Sequence, residues 1–240
     1  MRLMKSTLDW LLPRYCLMCG GRSGEENLCR PCQEDLPRPG EVCRLCALAL
    51  EGENSGCCGR CLVQPPPWNR VLAALEYAFP VDVLVQRFKY SRSLACGEVL
   101  GQAMVRAVEE AGSTSADWAR PPNRIVPVPL HRLRLATRSF NQSGVVATYL
   151  SRRTGIPVDC RLISRVRRTH AQSGLDATAR RRNTRGAFHA HAQSAGGIRH
   201  VALVDDVMTT GATLEACTRE LKRVGIEQVS LWVVARAPPP

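Results

Sequence analysis

Val201-Ala202-Leu203-Val204-Asp205-Asp206-Val207-Met208-Thr209-Thr210-Gly211-Ala212-Thr213 is the stretch that decides the fold. Its first four residues read as a buried strand, two acids stand at the strand's end, a Thr/Gly turn follows, and a helical pattern then runs from 212 to 224 with Gly225 behind it. A strand that enters a helix through a tight turn makes a cradle for an anion, because the turn's amides point outward and glycine lets a phosphate come close. The hydroxyls of Thr209, Thr210 and Thr213 add donors, and the adjacent carboxylates accept hydrogen bonds from a diol. Phosphate donors beside diol acceptors point to a sugar phosphate.

Working outward, Arg199 to Val204 forms the strand itself and Gln228 to Ala235 the next one. Toward the N-terminus, Val71, Ala73, Leu75 and Tyr77 alternate with their neighbours as a half-buried strand does, and Val81 to Tyr90 and Ala95 to Ala111 carry helical periodicity. Arg124 to Val128 is a short β-branched run stopped by Pro129, a helix follows from about Asn141 to Arg153, and Leu162 to Val166 reads as a further strand. This alternation predicts an α/β domain with a mostly parallel sheet covered by helices on both faces and ligands at the carboxyl ends of the strands.

Before residue 66 the character changes. Met1 to Leu12 could form a short amphipathic helix, and from Cys16 to Cys61 the chain is rich in Gly, Cys and Pro with little apolar periodicity, so it needs a staple to hold a fold. Pro65-Pro66-Pro67 marks a stiff boundary. The expected layout is a cysteine-rich domain over 1–65, an α/β domain over 66–237 and a disordered tail over 238–240.

Nine of the twelve cysteines lie between Cys16 and Cys61. They form the pairs Cys16-x-x-Cys19, Cys29-x-x-Cys32, Cys43-x-x-Cys46 and Cys58-x-x-Cys61, two copies of one unit offset by about twenty-seven residues. The two-residue gap lets one tight turn present both sulfurs to a single ion, and thiolates suit zinc. One or two closed, structural zinc sites are expected, and their removal should unfold 16–61 while 70–237 stays folded. Sequential and crossed pairing of the four knuckles fit the spacing equally, and Cys57 could stand in for Cys58. Four disulfides are disfavoured because the chain shows no secretion signal.

The formal net charge is +12, and residues 120–185 hold fifteen arginines against only Asp159 and Asp176. The middle of the chain therefore expects an anionic partner, a phosphorylated metabolite or a nucleic acid. No run approaches the ~20 apolar residues of a membrane span, and Asp9 interrupts the first apolar stretch, so a cytoplasmic protein without a span is expected.

The thirteen residues from Val201 to Thr213 resemble the signature of the type I phosphoribosyltransferases: an apolar strand, two acids, three residues, then T-G-x-T. The remainder resembles the ComF (competence protein F, GntX-like) family, with its N-terminal double zinc ribbon. Phe88-Lys89-Tyr90, Val126-Pro127-Val128-Pro129-Leu130, Arg138-Ser139-Phe140-Asn141-Gln142, Gln172 and the Arg180 to Arg185 cluster carry that likeness. The family commonly has glycine after this arginine, where the present chain has Ser139.

The resemblance implies binding of phosphoribosyl pyrophosphate with Mg2+. Asp205 and Asp206 would hold the ribose hydroxyls and steady charge on the ring as catalytic residues, and Thr209, Thr210, Gly211, Ala212 and Thr213 would enclose the 5-phosphate. His131, Arg132 and Arg138 would face the pyrophosphate, and the segment 167–182 takes the place of the mobile loop that closes over such sites. It further implies a link to DNA uptake through single-stranded DNA and competence-machinery proteins at the inner membrane face. The implied reaction is pentosyl transfer to an acceptor the sequence does not identify; a non-catalytic DNA-handling module and a sensor of phosphoribosyl pyrophosphate are the other readings.

Overall fold

The computed structural model describes residues 14–50, 56–115, 118, 120–131, 135–136, 139–167, 184 and 186–238. The expected helix before Leu12, most of the expected mobile loop, Arg132, Arg138 and the last two residues of the expected tail lie outside them.

Four strands form one parallel sheet in the order β1 (Arg70–Glu76), β6 (Gln228–Arg236), β5 (His200–Met208) and β2 (Arg124–Pro127). A single bridge between Ile125 and Val158 extends it beyond β2. One face packs against α3 (Val81–Tyr90), α4 (Leu94–Thr114) and α5 (Gln142–Thr154), with Leu84, Phe88, Leu100, Leu150 and Val204 in its core. The other packs against α6 (Ala212–Arg223) and a small two-stranded antiparallel sheet of β3 (Ile163–Arg165) and β4 (Phe188–Ala190), around Leu203, Leu214, Cys217 and Leu231. The predicted α/β architecture is thus observed, with three departures that have physical causes.

The strand expected over 162–166 does not join the parallel sheet, because it pairs antiparallel with β4, whose short run carried no clear strand signal. β1 is not half-buried: Ala73, Ala74 and Leu75 are all buried, since the cysteine-rich segment covers this edge. Val71 donates its N–H to the Arg44 carbonyl at 2.8 Å and Glu76 to that of Pro37 at 2.8 Å. Finally, β5 does not end at Val204 but runs to Met208, because β6 stays paired with it as far as Arg236. The two acids therefore sit inside a ladder rather than in a loop.

The cysteine-rich segment repeats one supersecondary unit. Each copy begins in a turn holding one C-x-x-C pair and ends in a one-turn helix, α1 (Arg30–Glu34) or α2 (Gly59–Val63), that starts directly after Cys29 or Cys58. The copies attach to opposite sides of the sheet. Cys16, Leu28 and Leu36 pack into the α3–α5 core, whereas Ala47 packs into the α6 core beside Trp68.

Candidate functional site

In the sheet order the connection from β5 leads toward β6, while that from β2 leads outward to Val158, so the crevice between the carboxyl ends of β5 and β2 is the topological switch point. Everything the sequence assigned to a sugar phosphate, among the described residues, comes to this edge or the loop after it.

Asp205 accepts a hydrogen bond from the Ser143 hydroxyl at 3.0 Å and from the Asp206 N–H at 2.9 Å, both on Oδ1. Asp206 forms an ion pair with Lys89, Nζ to Oδ2 3.0 Å, and both side chains are largely buried. Asp205 is half-buried over its whole surface, yet protein atoms crowd its carboxyl. Burial pushes that carboxyl up and the Asp206 charge pushes it further, while Lys89, the Asp206 N–H and Ser143 pull it back, leaving it at about 7. One acid is thus held as a charged partner of lysine, and its neighbour titrates near neutrality.

Lys89 comes from a motif that carried the ComF likeness, and Ser143 lies one residue beyond another, Arg138 to Gln142. Phe88 is fully buried on α3, where Gly97 of α4 leaves no room for a Cβ beside its ring, and this fixes Lys89 at the site. Phe140 packs against Phe88 with ring centroids 5.4 Å apart, and Asn141 donates from Nδ2 to the Val128 carbonyl at 3.0 Å. Those anchors set the start of α5 and hence the reach of Ser143. The sequence reading gave neither Lys89 nor Ser143 a role; a basic residue inside a quoted family motif was the available signal for the first, and nothing marked the second.

Thr209, Thr210 and Gly211 form the turn between β5 and α6. Gly211 adopts φ +78, a left-handed backbone that favours glycine, and a Cβ there would also stand 3.1 Å from the Met208 methyl and 3.2 Å from the Trp68 ring. Gly211 occupies the N-cap of α6 with no side-chain cap, and its carbonyl accepts the first helical bond from Glu215 at 2.8 Å. A helix start leaves its first-turn amides without intrahelical partners, and the macrodipole favours an anion there. Ala212 and Thr213 are the first residues of α6, and the Ala212 N–H reaches the Thr210 hydroxyl at 3.5 Å. His131 lies in the loop after β2 and accepts the Leu135 N–H on its carbonyl at 3.0 Å.

Ser139 has φ +69, so the position where the family commonly carries glycine does require a left-handed backbone. The substitution is accommodated at a local cost, in an exposed residue whose N–H reaches the Leu135 carbonyl at 2.8 Å.

The cysteines settle into two sequential tetrads, Cys16, Cys19, Cys29 and Cys32, and Cys43, Cys46, Cys58 and Cys61, with all sulfurs of a tetrad within 4.8 Å of one another. A tetrahedral zinc with bonds of about 2.3 Å requires S···S edges of about 3.8 Å; Cys19 to Cys29 and Cys46 to Cys58 measure 3.7 Å. The donor sets fit closed structural zinc and leave no ligand position for catalysis. Burial pushes the Cys16 thiol up, but N–H groups of Cys19, Cys29 and Met18 outweigh it and bring it to about 6. Cys43 follows the same balance to about 7. Cys57 is outside both tetrads, where its sulfur accepts from Arg44 Nε at 3.1 Å.

A parallel sheet with paired acids at its switch point and a glycine turn opening the next helix defines a phosphoribosyltransferase-type domain, here carrying a double zinc ribbon. Family models agree: residues 7–62 match the double zinc ribbon domain and residues 134–239 the phosphoribosyl transferase domain. The chain is 34% identical to competence protein F of Haemophilus influenzae over 92% of this chain and 96% of that one. It is also 34% identical to the DNA utilization protein YhgH of Escherichia coli O157:H7, over 94% and 98% respectively. The chain belongs to the competence protein F family. A more remote likeness, 15% identical with a TM-score of 0.38, is to the adenine phosphoribosyltransferase of Leishmania tarentolae, covering 69% of this chain and 76% of that one.

Proposed function

We propose that the edge formed by Asp205, Asp206 and the 209–213 turn binds phosphoribosyl pyrophosphate. The observation that carries this reading is the acid pair, one member ion-paired to Lys89 and the other titrating near neutrality, one strand end away from a left-handed glycine turn. The carboxylates accept from the ribose hydroxyls, and the 209–213 amides and hydroxyls take the 5-phosphate. His131 follows β2, and His131, Arg132 and Arg138 are the residues that would contact the pyrophosphate. Magnesium entering with the ligand would neutralise pyrophosphate charge and support its departure. In a pentosyl transfer the C1–oxygen bond would break with its electron pair leaving on pyrophosphate while an acceptor nucleophile bonds to C1, and Asp205 and Asp206 would stabilise the positive charge that grows on the sugar ring.

Calorimetric titration with magnesium phosphoribosyl pyrophosphate tests this, with ribose 5-phosphate as a control. Wild type should bind and the Asp205→Asn, Asp206→Asn double variant should not; equal binding by both would overturn the assignment.

The names of the relatives connect the domain to DNA uptake, and the arginines of 120–185 favour a nucleic-acid surface on the same chain. That second reading has its own signature. Affinity for single-stranded DNA should fall steeply between low and moderate salt as counterions are released, and a flat dependence would count against it. Among the described residues no helix is long and apolar enough to cross a membrane.

A further inference from the structure

Arg236, the last residue of β6, is a buried charged side chain that pairs with no carboxylate among the described residues. Its guanidinium instead donates to main-chain carbonyls on two sides. Nη1 reaches Met208 at 2.9 Å and Thr209 at 2.7 Å, and also the Ala237 carbonyl, while Nε reaches the Cys46 carbonyl at 2.6 Å. Trp68 repeats the pattern. Its indole N–H donates to the Leu45 carbonyl at 2.7 Å and its ring lies on Gly211, where a Cβ would stand 3.2 Å from it.

Two side chains from separate parts of the chain therefore take consecutive carbonyls, Leu45 and Cys46, of the C-x-x-C turn in the second cysteine centre, and reach the phosphate turn at its start, Met208 and Thr209, and at Gly211. We propose that Arg236 and Trp68 are positioning residues through which metal in the Cys43–Cys46–Cys58–Cys61 centre sets the shape of the phosphate turn. This rests on reading that turn as a phosphate site.

The physical reason is that a C-x-x-C turn owes its geometry to the ion that gathers its sulfurs. With the turn fixed, the carbonyls of Leu45 and Cys46 stand where Arg236 and Trp68 need them. Zinc with four thiolates also carries a net charge of about −2, the kind of anion a buried guanidinium without a carboxylate requires. Among the described residues the first centre has no such route. Side-chain bonds around it run to helices, Asn27 to Glu98 at 2.8 Å, Arg106 to Glu26 at 3.3 Å and Arg87 to the Leu17 carbonyl at 3.3 Å, on the α3–α5 side of the sheet.

The experiment uses the full chain and two readouts: calorimetric affinity for ribose 5-phosphate, and hydrogen exchange of the 209–213 amides without ligand. Trp68→Phe keeps a ring on Gly211 and every metal ligand but loses the bond to Leu45. It and Cys58→Ser should each weaken ribose 5-phosphate by about tenfold, the value of one lost hydrogen bond of typical size, and speed exchange in the turn. Arg236→Lys, which keeps the charge without the fork, should recover part of the affinity lost by Arg236→Met. Cys29→Ser should lose one zinc and leave both readouts near wild type. Unchanged exchange in Trp68→Phe and Cys58→Ser, or equal loosening by Cys29→Ser, overturns the proposal. If Cys29→Ser does not fold, Trp68→Phe with its metals intact decides alone. If wild type binds neither magnesium phosphoribosyl pyrophosphate nor ribose 5-phosphate, the phosphate reading falls and the exchange rates still decide the coupling.

Discussion

Replacing Asp205 by Asn should stabilise the protein, and by an amount that grows with pH. In the unfolded chain this carboxyl ionises at its ordinary 3.8, whereas in the fold burial and the Asp206 charge raise it to about 7. Between those values the folded state binds a proton that the unfolded state has released, so the contribution of Asp205 to wild-type stability falls as pH rises through the window and levels off above about 7. Holding the charge in the fold then costs up to about 4 kcal/mol. At pH 5.5 the cost is about 2 kcal/mol, so the advantage of Asp205→Asn should widen by about 2 kcal/mol between pH 5.5 and 8.5. Asn keeps an oxygen for Ser143 and for the Asp206 N–H, and any change in those bonds adds the same offset at every pH, so the slope carries the test. Urea unfolding of both proteins across this range, with zinc present, measures it. A difference that stays flat with pH, or that falls as pH rises, would refute the argument. The same variant should lose affinity for magnesium phosphoribosyl pyrophosphate, because a residue that costs the fold this much is placed for something other than stability.

Lys89→Met leaves the largely buried Asp206 without its cation and should cost about 1–3 kcal/mol, read by urea unfolding, while Lys89→Arg restores part of it. Ser139→Gly removes the side chain from a left-handed residue and should raise stability by about 1 kcal/mol, seen as a higher Tm. Zinc analysis should give two ions per chain for wild type and for Cys57→Ser, and one for Cys58→Ser; a lost ion in Cys57→Ser would contradict the tetrads. Chelation should not leave 70–237 undisturbed, because Cys16, Leu28 and Leu36 share a core with Leu84 and Leu100, and Arg44 and Pro37 cover β1. Faster amide exchange at Val71 and Glu76 after chelation is the expected result, and unchanged exchange there would show that the edge holds without the ribbon.

How much was legible in the sequence depends on the range over which each feature is specified. The strand, turn and helix of 201–224 were readable because apolar runs, a glycine and helical spacing are local, and the four C-x-x-C pairs because a metal turn is local too. Neighbouring chain decided the rest. Nothing near Asp205 and Asp206 says that β5 continues past them, since that follows from the length of β6, more than twenty residues on. Which knuckles share a metal was open until the fold brought Cys19 beside Cys29 and Cys46 beside Cys58. Ser139 marked itself as a departure, but only its φ showed the left-handed backbone behind it. Lys89 and Ser143 lie 117 and 62 positions from the acids they serve, and Arg236 lies 190 from the cysteine whose carbonyl it holds. Periodicity records which side of an element faces inward. It does not record which distant side chain waits there, because a hydrogen bond or ion pair between elements depends on their packing and leaves no pattern in either segment alone.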